Sequence, residues 1–376
     1  MIITIIILRP YATCRAQIVT YSLIIGFYYN LVLLIRDSDK RRIIYLFLIS
    51  LLIVNIHAAV WPFIFILFLP YFVEYILYRF KSKFIFVNSI RFNNINIKIL
   101  LFAFFICLFA GLITPIGFTP FTYLFNTFRG STQFYIGEHQ PITLWYRKLL
   151  LLFLFVLFVV LKNKKMYLSD ILLIIGLFIM MLSSQRHSAI FIILSVFIFL
   201  KYFDIKVFKY FKINKIEKYK LFKNVVGIVS LIFLVWYPCI SINISKINSP
   251  LIKDLYPVKA VKFIKDNLNY KDYNIFNDYD IGSYLLFNDI KVMFDSRADL
   301  YTKEFNGKYD YFIEFMELGA NYEEIFDKYN ISYALVYRDS KLYLRLNMNS
   351  RYTSIYQDNK VEIFVDNEVL DDILKI

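Results

Sequence analysis

All three histidines of this chain stand in or beside short breaks between long apolar runs, and other polar residues accompany them. The residues of these breaks are Asn55, His57, Glu138, His139, Gln140, Arg186 and His187. The planar guanidinium of Arg186 suits a phosphate group, which it can bind through two parallel hydrogen bonds. The carboxylate of Glu138 beside the imidazole of His139 is typical of a general base or a pair of metal ligands. We therefore expect Glu138 and His139 to be catalytic and the other five residues to bind phosphate or sugar hydroxyl groups.

Each of these groups also has a structural alternative. Asn55 and its neighbours could satisfy free backbone groups where a helix ends. Glu138 could form a salt bridge with Arg129 or Arg147, and Arg186 could extend its charge toward the membrane surface. Polar groups at membrane depth are costly and usually have partners, so the sequence alone leaves both interpretations open.

A second group of charged residues follows two segments that are predicted to be adjacent strands, at 273–276 and 291–294. These residues are Asp278, Asp280, Asp295, Arg297 and Asp299. Ligands of open α/β sheets usually bind beyond the carboxyl ends of the strands, so we expect this group to bind sugar hydroxyls or a divalent cation. The alternative is that Arg297 pairs with the aspartates and fixes the loop. Gly282 is expected to permit a tight turn.

Long apolar segments must position the first group. The chain is 59% hydrophobic, well above the usual soluble composition, and a membrane-spanning helix needs about 20 mostly apolar residues. Segments that meet or approach this length are 17–35, 43–59, 60–78, 99–116, 142–161, 168–184, 187–203 and 224–241. Pro62 favours a new helix start between the second and third segments. We predict an α-helical polytopic membrane bundle of about eight spans.

Basic residues are distributed unevenly between two sets of connecting loops, which hold 19 and 6 Lys and Arg residues. The basic set comprises 36–42, 79–98, 162–167 and 204–223. The other set comprises 1–16, 55–62, 117–148 and 185–187. Because cytoplasmic loops carry an excess of Lys and Arg, the basic set is predicted to face the cytoplasm. The three histidines and everything after the last span are then predicted to lie on the outer side.

After the last span the composition changes to that of a mixed α/β domain, with 17 Lys and Arg against 22 Asp and Glu in residues 242–376. Apolar periodicity predicts helices at 257–268, 305–318 and 322–329. It predicts further strands at 332–337, 354–356 and 361–365. Asn321 is the predicted N-cap of the third helix. We divide the chain into a transmembrane helical domain, 1–242, and a small extracytoplasmic α/β domain, 243–376.

Several function classes are disfavoured. The sequence does not show the stripe of basic residues with interleaved aromatic residues that nucleic-acid-binding proteins carry on a soluble fold. Nucleic acid is therefore not an expected partner. The three cysteines have no zinc-site spacing, and the metal requirement stays open, with a divalent cation as one possibility. The predicted midplane of the bundle is almost wholly apolar and has no internal repeat, unlike a typical transporter. The apolar segment 2–8 is too short to cross a bilayer and is expected to be the tail of a longer span.

Two sets of residues resemble a known family. One is the aspartate-rich pair FNDYDIGSYL at 276–285 and VMFDSRADLY at 292–301. The other comprises NIH at 55–57, TPIG at 114–117, GEHQP at 137–141 and RH at 186–187. Together they resemble bacterial polytopic membrane proteins similar to the GT-C-type glycosyltransferases, which use polyprenyl-phosphate sugars.

This resemblance implies a multi-pass protein of the bacterial cytoplasmic membrane. It implies transfer of a sugar from a polyprenyl-phosphate donor to a glycan, lipid or protein acceptor of the cell envelope. The family generally carries catalytic carboxylates on the loop after its first span, and this chain is expected to start downstream of that region. The alternative is therefore a non-catalytic or truncated membrane protein that binds a lipid-linked glycan or an envelope partner.

Overall fold

A computed structural model of the chain describes residues 2–11, 16–79, 90–142, 148–161, 165–202 and 256–375. The fold divides into two compact units. The first unit comprises Met1–Phe128 and Ile136–Ser230, and the second comprises Arg129–Tyr135 and Leu231–Ile376. The predicted span at 224–241 lies outside the described residues.

The described part of the chain is mostly helical. In chain order its α-helices are α1 (Ile2–Leu8), α2 (Ala16–Asp37), α3 (Arg41–Ile56), α4 (Phe63–Ile66), α5 (Leu69–Arg79), α6 (Ile97–Ala110), α7 (Thr119–Arg129), α8 (Thr132–Tyr135), α9 (Lys148–Leu161), α10 (Leu168–Ser183), α11 (Ser188–Tyr202), α12 (Val258–Asn267), α13 (Tyr279–Phe287), α14 (Lys303–Asn306), α15 (Tyr311–Met316), α16 (Tyr322–Lys328), α17 (Lys341–Met348) and α18 (Leu370–Ile373).

Three helical segments among the described residues are long and apolar enough to cross a membrane. They are Gln17–Asp37, Ala58–Arg79 and Gln185–Tyr202. Two further apolar helices, Ile97–Ala110 and Leu168–Ser183, are shorter. The chain therefore has the helices of a membrane protein, and the eight-span bundle remains a prediction.

The helix break predicted between the second and third apolar segments is present. Helix α3 ends at Ile56, and the backbone of His57 leaves the helical region with φ −151° and ψ 71°. A three-ten turn, Ala58–Val60, follows, and Pro62 precedes α4. The break exposes His57 and its neighbours at a helix end, where a polar side chain can reach other segments.

The core of the first unit is apolar, with a few tightly bonded polar groups. Trp61 is only 1% exposed, and its indole N–H donates to Ser50 Oγ at 2.9 Å. The Ser50 hydroxyl in turn donates to the carbonyl of Cys107 at 3.0 Å. Helix α3 thus contacts both α6 and the segment after the break through bonds that satisfy every one of these buried polar atoms.

The second unit contains a four-stranded mixed sheet in the order β1-β2-β4-β3. Its strands are β1 (Asn274–Asn277), β2 (Ile331–Tyr337), β3 (Tyr352–Gln357) and β4 (Val361–Asp366). Strands β1 and β2 are parallel, and the other two pairings are antiparallel. Phe276 pairs with Ala334, and Ala334 pairs with Phe364, so apolar side chains continue across the sheet. These strands agree with four of the five predicted from the sequence.

The prediction of a strand at 291–294 is wrong, because this segment makes no backbone ladder with β1. Instead the side chain of Asn277 holds it: Nδ2 donates to the carbonyl of Phe294 at 2.9 Å, and Oδ1 accepts from the N–H of Met293 at 3.2 Å. Asn277 is fully buried. A single side chain therefore replaces the strand pairing that the apolar pattern suggested.

Two predictions for the helices of the second unit also need correction. The helix predicted at 305–318 is two short helices, α14 and α15, because Gly307 ends the first with a left-handed φ of 70°. Asn321 does not cap α16 with its side chain, and its Oδ1 accepts from the N–H of Gly319 at 3.3 Å. Both differences are local, and the helix at 322–329 is otherwise present.

Candidate functional site

Two three-ten turns of the first unit, Gly137–His139 and Gln185–His187, lie side by side. The backbone N–H of Gln185 donates to the carbonyl of Gln140 at 3.0 Å. These turns carry most of the polar residues singled out in the sequence. The structure therefore brings together two groups that lie some 47 residues apart in the chain.

A direct contact between Arg186 and His139 joins the two turns. The Nη1 atom of Arg186 lies 3.2 Å from Nε2 of His139. Because a guanidinium can only donate, Nε2 accepts this hydrogen bond, and the imidazole is neutral with its proton on Nδ1. The positive charge of Arg186 is thus not opposed by this partner and stays available to an anion.

His57 lies close to the same arginine. The charge of Arg186 acts electrostatically on His57, on His187 and on Tyr21. The Nδ1 atom of His57 lies 3.1 Å from the hydroxyl of Thr20, which is 1% exposed. Helices α2 and α3 therefore contribute polar groups to the surroundings of Arg186.

Glu138 is the one acidic residue of the two turns. Its side chain is exposed and acts electrostatically on Tyr21. Its backbone carbonyl accepts a hydrogen bond from the hydroxyl of Ser184 at 3.1 Å, which fixes the turn that carries it. An exposed carboxylate on a fixed turn is suited to receive a proton from a bound hydroxyl group.

Two of the predicted binding residues already satisfy backbone groups. The Nδ2 atom of Asn55 donates to the carbonyls of Leu51 and Ile113, at 2.9 and 3.0 Å. The Nδ1 atom of His187 lies 3.1 Å from the carbonyl of Met180, so this nitrogen carries the proton and Nε2 is left as an acceptor. For Asn55 these bonds correspond to the structural alternative, in which its side chain satisfies backbone groups where a helix ends.

We call the assembled groups the polar cluster. Its members are Thr20, Tyr21, His57, Glu138, His139, Arg186 and His187. Sequence reasoning found five of these residues and missed Thr20 and Tyr21. Both lie in the first turns of α2, just after segment 1–16. That segment was predicted to face the same side as the loops that carry the histidines, so the sequence did indicate that Thr20 and Tyr21 lie near them. The polar cluster combines one permanent cation with several hydrogen-bonding groups, which is the chemistry of an anion-binding site.

The residues of the charged group in the second unit are held by different partners. Asp295 is fully buried, and its carboxylate accepts from the backbone N–H of Arg297 at 2.8 Å and from Nη2 of the same arginine at 2.6 Å. Burial opposes ionisation of this carboxyl, but the bonds from Arg297 outweigh it, so the pKa of Asp295 lies below its usual range. This pair fixes the loop before the three-ten turn Ala298–Tyr301, which carries Asp299.

Asp278 follows β1 directly and makes a different contact. Its Oδ2 accepts from the backbone N–H of Tyr337, at the end of the parallel strand β2, with a distance of 2.6 Å. Burial raises the pKa of Asp278 to about 6, the Tyr337 N–H opposes this rise, and the negative charges of Asp280 and Asp339 add to it. Asp278 is therefore held by the end of β2, whereas Asp295 is held by Arg297.

Metal binding finds no geometric support in the described ranges. Among those residues no group of three or more His, Cys, Asp or Glu side chains is arranged to hold a metal ion. A divalent cation thus remains a suggestion of the sequence and enters none of the steps below.

A scan against protein-family models and a search of curated proteins found no match to this chain. The resemblance to GT-C-type enzymes therefore rests on the quoted residues alone. The geometry adds the polar cluster around Arg186 and His139.

Proposed function

We propose that this chain is a GT-C-like integral membrane glycosyltransferase, which transfers a sugar from a polyprenyl-phosphate donor to a cell-envelope acceptor. The observation that carries the proposal is the contact of Arg186 with His139, with His57 and Tyr21 within electrostatic reach. A permanent positive charge beside one carboxylate and several hydrogen-bonding groups, placed where apolar helices end, supports binding of a lipid-linked phosphate. The acceptor is a glycan, a lipid or a protein of the envelope.

In the proposed reaction, Arg186 holds the donor phosphate by charge-assisted hydrogen bonds. The oxygen of an acceptor hydroxyl attacks the anomeric carbon, and the bond between that carbon and the phosphate oxygen breaks. Glu138 accepts the proton of the hydroxyl group. The polyprenyl phosphate leaves as an anion, which Arg186 stabilises as its charge grows. His57 and His187 supply neutral hydrogen-bonding atoms beside the phosphate.

The proposal places the protein in the bacterial cytoplasmic membrane with eight spans and the second unit outside. The unequal distribution of Lys and Arg between the two sets of loops supports this orientation. We expect protease added to intact spheroplasts to remove a tag fused after Ile376. A tag that is cut only after the membrane has been opened would reverse the orientation and place the polar cluster on the cytoplasmic side.

Replacing Arg186 by Gln is expected to weaken binding of polyprenyl phosphate by about 10- to 100-fold, because hydrogen bonds to charged groups contribute about 1.5–3 kcal/mol. The full-length chain in lipid nanodiscs is titrated with polyprenyl phosphate, and binding is followed by native mass spectrometry. Arg41→Gln is the matched control, since it removes an arginine of the same unit whose side chain is 85% exposed and which lies outside the polar cluster. Equal affinities for the two variants would contradict the role of Arg186.

The Glu138→Gln variant separates the two functions that the sequence left open. It keeps the size of the side chain and removes its capacity to accept a proton. We expect it to bind polyprenyl phosphate normally and to lose transfer, measured as surface glycans of cells that express the variant. Unchanged glycans together with normal phosphate binding would favour the non-catalytic alternative, a protein that binds a lipid-linked glycan.

A further inference from the structure

An open depression lies at the end of β2 in the second unit. It has a volume of about 550 Å³. Its lining residues are Tyr337, Arg338, Asp339, Tyr343, Asn359 and Lys360. They come from the turn after β2, from the first turn of α17 and from the turn between β3 and β4. None of them has a role in the function proposed above.

Hydrogen bonds fix the two turns that form the walls of the depression. The backbone N–H of Arg338 donates to the carbonyl of Lys360 at 2.9 Å, which joins the turns. The Oδ1 atom of Asp358 accepts from the N–H groups of Lys360 and Val361, at 2.8 and 3.0 Å. The hydroxyl of Ser340 accepts from the first turn of α17. Because these walls are preorganised, a ligand loses little binding energy to ordering them.

The side chain of Arg338 is held within the depression. Its guanidinium lies over the ring of Tyr343, 5.8 Å from the ring centroid. Its Nε is 3.5 Å from a carboxylate oxygen of Glu362, which is 4% exposed. The buried carboxylate balances the charge of the arginine, and Tyr343 beside it is half-buried.

Charges of both signs line the depression. Asp339 supplies a negative charge, and it acts electrostatically on Asp278, whose carboxylate bonds to the backbone of Tyr337. Arg338 and Lys360 supply the positive charges of the lining. A simple anion would be repelled by the aspartates, and a simple cation by the basic side chains. A ligand whose groups both donate and accept hydrogen bonds satisfies both kinds of side chain.

We propose that this depression binds a neutral saccharide. Sugar hydroxyls donate to carboxylates and accept from Arg, Lys and Asn side chains, and the C–H face of a sugar ring packs on aromatic rings such as Tyr337 and Tyr343. The identification of this saccharide with the acceptor of sugar transfer rests on the proposed function. Binding itself does not, because it requires no donor and no turnover.

The full-length chain is tested in an amine-oxide detergent, since detergents with sugar head groups would compete. Maltotriose and mannotriose are the neutral probes, and glucose 6-phosphate and spermidine are the charged comparators, all followed by saturation-transfer NMR. We expect at least one trisaccharide to bind with a Kd of about 10 mM or tighter, and Tyr343→Ala and Asp339→Ala each to weaken it about tenfold. Tyr309→Ala, which removes a 63% exposed tyrosine of the same unit, serves as the matched control.

Different outcomes of these binding measurements would overturn the saccharide site and the proposed function. Absence of trisaccharide binding, tighter binding of either charged comparator, or unchanged affinity in both depression variants would overturn the saccharide site. Asp339 is exposed, so its substitution tests the site even if Tyr343→Ala unfolds the unit. Arg186→Gln is expected to leave trisaccharide binding unchanged. A chain that binds trisaccharides but shows no dependence of phosphate binding on Arg186 would therefore overturn the proposed function alone.

Discussion

Replacement of Lys201 by Met is expected to lower the free energy of unfolding of the first unit by about 3 kcal/mol, the lower end of the range for breaking a buried ion pair. The Nζ atom of Lys201 lies 2.7 Å from Oδ2 of Asp170. The Asp170 side chain is 1% exposed, whereas that of Lys201 is 35% exposed. Without the lysine, a buried carboxylate is left without its cation, and the hydroxyl of Tyr202, 2.5 Å away, cannot replace the charge.

The two partners of this pair should not be equivalent. Asp170→Asn removes the buried charge itself, and Lys201 can then turn toward solvent, so we expect a loss of about 1 kcal/mol. The double variant is expected to be more stable than Lys201→Met alone. These comparisons form a double-mutant cycle, measured as equilibrium unfolding in mixed micelles.

Lys98→Met provides the control, because Lys98 is an exposed lysine of the same unit. We expect its effect to stay within about 0.5 kcal/mol. If the Lys201→Met and Lys98→Met variants are equally stable, the burial of Asp170 does not require the charge of Lys201. The ion pair between α10 and α11 then makes no net contribution to the free energy of unfolding.

Gly282→Ala is expected to destabilise the second unit by about 2–3 kcal/mol, even though alanine favours a helix by about 1 kcal/mol over glycine. A methyl group at this position in α13 would lie 2.2 Å from the carbonyl oxygen of Phe294 and 2.9 Å from Cα of Asp295. Both atoms belong to the backbone, so the segment must shift. The shift would break the hydrogen bonds that Asn277 makes to Met293 and Phe294.

Pulse proteolysis of the full-length chain in urea measures this change. Gly319→Ala is the matched control in the same unit, since a methyl group there would meet nothing closer than 3.7 Å. We expect a clear shift of the unfolding midpoint for Gly282→Ala and none for Gly319→Ala. Similar midpoints for both variants would mean that the close approach of α13 to the 293–295 segment is not needed for stability.

Gly282 also shows how a correct residue can receive a wrong explanation from the sequence. The glycine suggested a tight turn, but the structure places it within a helix, where it permits close contact with a neighbouring segment. The apolar run at 291–294 similarly suggested a strand. Its partner turned out to be the side chain of Asn277, and no local pattern distinguishes these two ways of holding a buried segment.

Buried charges show the same limit. Glu74 is fully buried, and its two carboxylate oxygens accept from the backbone and the side chain of Asn93, each at 2.8 Å. The sequence patterns assigned no role to Glu74 or Asp170. Their partners lie on other segments, so their importance emerges only when helices pack.

The sequence by itself determined those features that depend on local composition. Apolar runs define the helices, a polar break with Pro62 separates α3 from the helix that follows, and alternating apolar residues give the strands of the second unit. The tertiary structure decided which polar groups meet: Arg186 with His139, and Thr20 with His57, residues 47 and 37 positions apart. The physical reason is that periodicity records which face of a segment is buried, whereas helix packing selects the neighbour it is buried against.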